Sequence, residues 1–285
     1  AVRHKDINDN ISEVMYDTLG MPVAMALMAK DDGTEGDTLQ GLDPDSGTDL
    51  AEQEAFWDDP ESHAHNLIKG ATWRCVYDLE HLPLVGAMIV REQHYTDNPE
   101  SPLLIKFTYV DALNRILMQK VKCEATASND GKKWIGSGRT IYNNKGNPVM
   151  QYEPYFSESY SFDSVEQATA QGVTTLLYYD PLNRNYRTDL PDGTFTKNEW
   201  TAWEQLIWDS NDTVLESQWY SVRIGGGMGP EEQQAAIKAA AHANTPTRIH
   251  TDTLARGFYT VQMDSQTNYI HSFENLDIQG NRLSL

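Results

Sequence analysis

Cysteine is nearly absent: Cys75 and Cys123 are the only two in 285 residues. Two cysteines allow one bridge or two free thiols, which excludes a disulfide-dense scaffold and leaves the compartment undecided. Basic residues are scarce as well, 22 Lys and Arg against 42 Asp and Glu, and the longest basic cluster is Lys132-Lys133. A chain that neutralises a phosphate backbone needs clustered cations, so a nucleic-acid partner is excluded. No apolar run approaches the roughly 18 residues that a membrane-spanning helix requires, and no basic stretch followed by an apolar one opens the chain as a signal peptide would. What is present argues for a packed fold. Seven Trp, fourteen Tyr and a 39% hydrophobic content are more apolar surface than a solvated acidic chain carries. The length suits one large domain or two ordinary ones.

The negative charge is unevenly placed. Twelve acidic residues (Asp31, Asp32, Glu35, Asp37, Asp43, Asp45, Asp49, Glu52, Glu54, Asp58, Asp59 and Glu61) fall in a stretch without Lys or Arg, and without them the net charge of −20 becomes −8. This describes a local insertion at 31–68, partly helical and decorating the surface, better than a global field. Asp49 is expected to cap a helix over Leu50–Trp57, and a second helical stretch is expected over Glu61–Ile68.

The remainder is organised by a short repeat: an alternating apolar stretch, then Tyr-Asp-x-x-Gly/Asn-Arg or a relative of it, then another alternating stretch. Its copies centre on Asp17, Asp78, Asp111, Asn143, Asp180, Asp252 and Asp277, with a doubtful one at Trp200–Gln205. Each reads as a β-hairpin. The Asp accepts hydrogen bonds from backbone N–H groups just ahead of it, and Gly or Asn supplies the left-handed residue of a type I turn followed by a bulge. Flanking segments such as Leu103–Tyr109 and Thr174–Tyr179 are β-branched and aromatic, as strands prefer. The longer gaps hold the acidic segment and a second insertion at 225–243. There Gly225-Gly226-Gly227-Met228-Gly229 precedes Pro230 and an Ala-rich helix over Gln233–His242. The fold class expected is therefore mainly β: an array of antiparallel hairpins in a curved sheet or hollow shell, with two short helical insertions.

Tyr179-Asp180-Pro181-Leu182-Asn183-Arg184 is similar to the Tyr-Asp-x-x-Gly-Arg signature of the YD repeats of RHS proteins. The stretches Asn144–Val149, Gln151–Phe156, Arg187–Phe195 and Trp208–Leu215 resemble the RHS portion of SpvB-type, insecticidal toxin complex (Tc) B-component-like proteins. The resemblance spans nearly the whole chain. It implies a segment of a β-sheet strip wound into a hollow shell that encloses or scaffolds a toxin or effector polypeptide, in a secreted, extracellular toxin-complex-like protein without enzymatic activity. Implied partners are the rest of the shell, the enclosed polypeptide and other complex subunits. Residues 1–285 then read as one segment of a longer polypeptide with open sheet edges. Four copies lack the Arg and three lack an aromatic before the Asp or Asn, and neither an SpvB nor a propeller-like region is visible.

Candidate chemistry yields to plainer readings. His63 and His65, two apart, suit one face of a strand and have no third metal ligand at a recognisable spacing. Asp43, Asp45 and Asp49 with Glu52 and Glu54 resemble a calcium loop, but Gly47 and Thr48 stand where an oxygen ligand and Gly belong. Gly225–Gly229 lacks the Lys-Ser/Thr of a phosphate loop and reads as a linker, and Gly136-Ser137-Gly138 lacks the spacing of a nucleophile elbow. Cys75 shares a strand face with Tyr77, a core position rather than a nucleophile. Glu153, Glu158 and Asp163 with Tyr152, Tyr155, Tyr160, Trp200, Trp203 and Trp208 could line a glycosidase-like cleft, but aromatics at period two are expected as sheet core. No catalytic, cofactor or metal residue is therefore expected. The alternative function is an extracellular module that binds carbohydrate or a cell surface through exposed aromatics.

Overall fold

The computed structural model describes residues 1–30, 35–44, 46–265 and 267–284. Along the chain come β1 (Val2–Lys5), β2 (Ile11–Tyr16), β3 (Pro22–Met28), α1 (Gly47–Asp58), α2 (Pro60–Ile68), β4 (Trp73–Asp78), β5 (Leu84–Arg91), β6 (Leu103–Val110) and β7 (Ile116–Lys122). Then follow β8 (Trp134–Ser137), β9 (Thr140–Tyr142), β10 (Pro148–Tyr152), β11 (Tyr155–Ser157), α3 (Val165–Gln171), β12 (Thr174–Tyr179), β13 (Asn185–Asp189), β14 (Phe195–Trp200) and β15 (Glu204–Trp208). The last elements are α4 (Gln218–Ile224), α5 (Pro230–Ala239), β16 (Thr247–Thr251), β17 (Gly257–Ser265), β18 (Asn268–Phe273), β19 (Asn275–Leu276) and β20 (Arg282–Ser284). The chain is mainly β, and its paired strands are antiparallel.

The contacts divide it into two compact units. One holds 1–140 and 153–172, and the other 141–152 and 173–285. The first unit is a nine-stranded sheet in the order β1-β2-β3-β4-β5-β6-β7-β8-β11. The second has its own nine-stranded sheet, β18-β17-β16-β15-β14-β13-β12-β10-β9, and β19 pairs with β20.

In the first unit the period-two alternation resolves into one covered face. Ala24, Ala26, Val76, Ala87, Ile89, Ile105, Phe107, Tyr109, Met118 and Trp134 are buried there, and Phe56, Ala64, Leu67 and Ile68 of the two helices are buried against them, with Leu39 and Leu42. Phe107 is the hub: its ring lies 4.9 Å from Tyr160, 5.5 Å from Trp134, 5.9 Å from Trp57 and 6.0 Å from Phe56. The expectation that 31–68 is a surface decoration is corrected. Leu39, Leu42, α1 and α2 form the lid of this core, and a long sheet with one apolar face needs such a cover.

The helix starts are corrected too. Ser46, not Asp49, caps α1, its Oγ accepting the N–H of Asp49 at 3.2 Å. Asp59 caps α2, which begins at Pro60. Asp31, Asp32 and Asp45 lie outside the described residues. In the second unit α5 stands where the Ala-rich helix was expected, with acidic residues in its first turn. The Gly-rich loop joins it to α4, which the sequence reading lacked, as it lacked α3.

Candidate functional site

The repeat turns are built alike. At Asp180 the backbone N–H donates to the Arg184 carbonyl (2.9 Å) and the Asn183 N–H donates back to the Asp180 carbonyl (3.0 Å). The carboxylate Oδ1 accepts the N–H groups of Leu182 and Arg184, and Oδ2 accepts Arg184 Nε at 2.7 Å. Asn183 takes φ 64°, and the following strand pair carries a bulge. The same backbone bonds recur at Asp17, Asp111, Asn143, Asp252 and Asp277, with left-handed residues at Gly20, Asn114, Gly146, Ala255 and Gly280. The turn chemistry read from the sequence is thus borne out.

Four refinements follow. Asp78 departs from the pattern, because its carboxylate accepts the N–H groups of Glu80 and His81 in a longer connection and the turn has no left-handed residue. Asp6 is a copy the sequence reading missed. It makes the same bonds, with Asp9 at φ 65° and Asn10 in the place of Arg. Leu190–Thr194 repeats the backbone pattern around Gly193 without the Asp. The doubtful copy is a true hairpin, capped by Thr201 Oγ1, which accepts the N–H groups of Trp203 and Glu204.

These bonds hold the carboxyls of Asp6, Asp111, Asp180, Asp252 and Asp277 below the ordinary carboxylate range. For Asp111 and Asp180 the largest cause is the backbone N–H of the Arg four residues on. For Asp252 it is the Arg256 side chain, and for Asp6 and Asp277 it is the side chains of Asn10 and Asn281.

Alternate turns of an antiparallel meander fall on one edge of its sheet. In the first unit the turns at Asp17, Asp78 and Asp111 share an edge, while the lid segment leaves from the other. In the second unit the turns at Asn143, Asp180, Thr201 and Asp252 share an edge, and the helical insertion leaves from the opposite one. On this edge neighbouring turns are bonded in series. Asn147 Nδ2 donates to Asn183 Oδ1 (3.2 Å), and Arg184 lies 4.4 Å over the Trp200 ring. The Thr251 N–H donates to the Trp203 carbonyl (2.8 Å), and Arg256 Nη1 donates to the Asp277 carbonyl (3.3 Å). The tips of the Asp180, Thr201, Asp252 and Asp277 turns are apolar and exposed: Leu182 71%, Trp203 57%, Leu254 67% and Ile278 92%. Trp200 and Trp208 instead lie beneath cations, Arg184 and Lys197.

The other expected site residues are placed as follows. His63 and His65 are on α2, within the helical stretch expected over Glu61–Ile68. No cluster of three metal-ligating side chains occurs among the described residues. Asp49 of the calcium-like loop is fully buried, its Oδ2 2.6 Å from Arg74 Nη2 and its Oδ1 3.3 Å from Lys69 Nζ, so it pins α1 to β4. Ser137 ends β8. Cys75 and Cys123 are unbridged and half-buried, and burial raises both thiols above their ordinary range. Of the carboxylates considered for a cleft, Glu153 and Glu158 are exposed. Asp163 is buried against Lys120 (2.7 Å), and Tyr155 and Tyr152 are buried. On β16–β18 the rings of His250, Tyr259, His271 and Tyr269 follow one another with centroids 5.2, 5.9 and 6.3 Å apart, and the Tyr259 hydroxyl lies 2.7 Å from His271 Nδ1.

The sequence reading missed the buried cations Arg74, Arg91 and Lys120. The signal was present: Arg74 is in phase with Val76, Arg91 with Ile89, and Lys120 with Met118, all on the covered face.

No protein-family model matches the chain, and no curated protein matches it. Solved structures do. A TcdB2-TccC3 structure matches with a TM-score of 0.73 at 19% identity, over 99% of this chain and 13% of that one. A TcdB2-TccC3-Cdc42 structure gives 0.74 at 17%, and a Photorhabdus luminescens Tc holotoxin pore 0.68 at 18%, each over 99% of this chain and 16% of the other. At such identities the likeness is one of fold. The chain spans about a seventh of the length of these neighbours, and its fold is that of a stretch of Tc toxin chain.

Proposed function

We propose that the chain is a non-catalytic segment of an RHS-type shell, secreted as part of a toxin-complex-like protein, and that the shell encloses or scaffolds a toxin or effector polypeptide. The observation that carries this reading is the agreement of two independent likenesses over nearly the same residues. The Tyr-Asp repeat text resembles RHS proteins, and the fold matches Tc toxin chains over 99% of the chain. The turn geometry supports a scaffold role. Each Asp is saturated by its own turn, so the repeated carboxylates serve backbone geometry and are not free for acid-base work. The remainder of the shell and other toxin-complex subunits are then the partners.

The test is limited proteolysis with mass spectrometry of the parent polypeptide that carries this segment. Recovery of an intact internal polypeptide while exposed loops are cut supports enclosure. Digestion of every other part at the rate of the free polypeptide contradicts it.

A further inference from the structure

The covered face of β7 holds a side chain that an apolar core would not select. Lys120 is fully buried, between Phe107 on β6 and Gly136 on β8 in the strand register. Its Nζ lies 2.7 Å from Asp163 Oδ2, 2.5 Å from Ser157 Oγ and 3.0 Å from the Ser159 carbonyl oxygen. Asp163 is itself buried, and the Tyr155 hydroxyl donates to the same Oδ2 at 2.6 Å. Met118 Sδ is 3.5 Å from that hydroxyl, and the Tyr155 ring lies 5.7 Å from Nζ. Gly136 makes room for this arrangement, since a Cβ there would meet the Tyr155 ring at 3.0 Å. An amine and a carboxyl are thus held in contact, away from water, with hydrogen-bonding groups fixed around both.

We infer that Lys120 and Asp163 condense to an intramolecular amide, a covalent staple between β7 and the segment that follows β11. Burial pulls the Lys120 ammonium below its ordinary range against the opposing pull of Asp163. A proton passing from Nζ to the carboxylate leaves a neutral amine facing a carboxylic acid. The Nζ lone pair adds to Cγ, forming the N–C bond, and the charge passes to Oδ1, while the Tyr155 hydroxyl holds Oδ2, the oxygen that took the proton, in place. A proton then moves from Nζ to the acid's hydroxyl oxygen, the C–O bond breaks, and one water leaves. Nothing is oxidised or reduced, and no co-reactant is needed. Fixing both partners at contact distance supplies the effective concentration that amide formation lacks in bulk water, and exclusion of solvent opposes the reverse step. Ser157 Oγ and the Ser159 carbonyl hold Nζ in place.

The test is the intact mass of the full chain under denaturing conditions, followed by tryptic mapping. The expected result is a mass about 18 Da below the sequence mass, no tryptic cleavage after Lys120, and a branched peptide joining Lys120 to the Asp163 peptide. The Asp163→Ala variant is expected to regain the water. A full mass with normal cleavage after Lys120 overturns the proposal. So does a deficit that persists in Asp163→Ala, as a succinimide at Asp130-Gly131 would give.

Discussion

At the scale of the residue, the repeat is a device for placing one left-handed position beside one saturated carboxylate. Where Gly or Asn fills the left-handed position the backbone is at ease, but Ala255 holds φ 60°. Left-handed backbone costs an L-residue about 1–2 kcal/mol, and the loss of chain entropy for Gly takes back part of the gain. Ala255→Gly is therefore expected to raise unfolding stability by about 0.5–1 kcal/mol in a denaturant titration. The turn carboxyls also set the response to acid. Asp6, Asp111, Asp180, Asp252 and Asp277 lie below their ordinary value of 3.8 when folded, so the unfolded chain binds protons first as pH falls. Their contribution is complete above about pH 5 and is lost on going down through and below the ordinary value. Thermal melts from neutral pH to acid should show a plateau followed by a decline, and replacing Asp180 with Asn should blunt the decline while keeping the turn, as Asn143 keeps its own. These features were legible in the sequence because the turn's chemistry is local to five residues. The copy at Asp6 escaped because it lacks all three other marks, with Lys5 before the Asp, Asp9 at the left-handed position and Asn10 in the place of Arg, and the turn at Gly193 escaped because Leu190 stands in the place of Asp.

At the scale of the element, the acidic stretch carries the largest correction. Its charge drew attention away from Phe56, Leu67 and Ile68, which are fully buried against the sheet. Composition averages over both faces of a helix, whereas packing depends on one. Phe56→Ala should cost about 3–5 kcal/mol in unfolding stability, the range for emptying a buried aromatic site. A cost near zero would return the segment to the role of an ornament. Asp49→Ala should cost a similar amount, about 3–5 kcal/mol, because it leaves the Arg74 guanidinium buried without its carboxylate. In the second unit the neck of the helical insertion is closed by buried Asp212, which accepts the N–H groups of Asp209 (2.8 Å) and Thr245 (3.1 Å). No sequence rule marks such a pair 33 residues apart. The short helices α3 and α4 escaped for a related reason: with seven residues each they carry too few turns for periodicity to show.

At the scale of the whole molecule, the topology sorts the chain by edge. Within each unit a row of Asp, Asn or Thr turns occupies one edge of the sheet, and the long insertion leaves from the other. Strand existence and turn chemistry were readable from period-two alternation and the repeat text. The pairing order of β11 with β8, and of β10 with β12, was not, because it depends on a chain excursion between 153 and 172 that no local signal announces. The role proposed for this scaffold is enclosure rather than reaction, and that is the claim to test. In limited proteolysis with mass spectrometry of the parent polypeptide, the account predicts an internal polypeptide that survives intact while surface loops are cut. Degradation of all internal sequence at the rate of the same sequence expressed alone would contradict it.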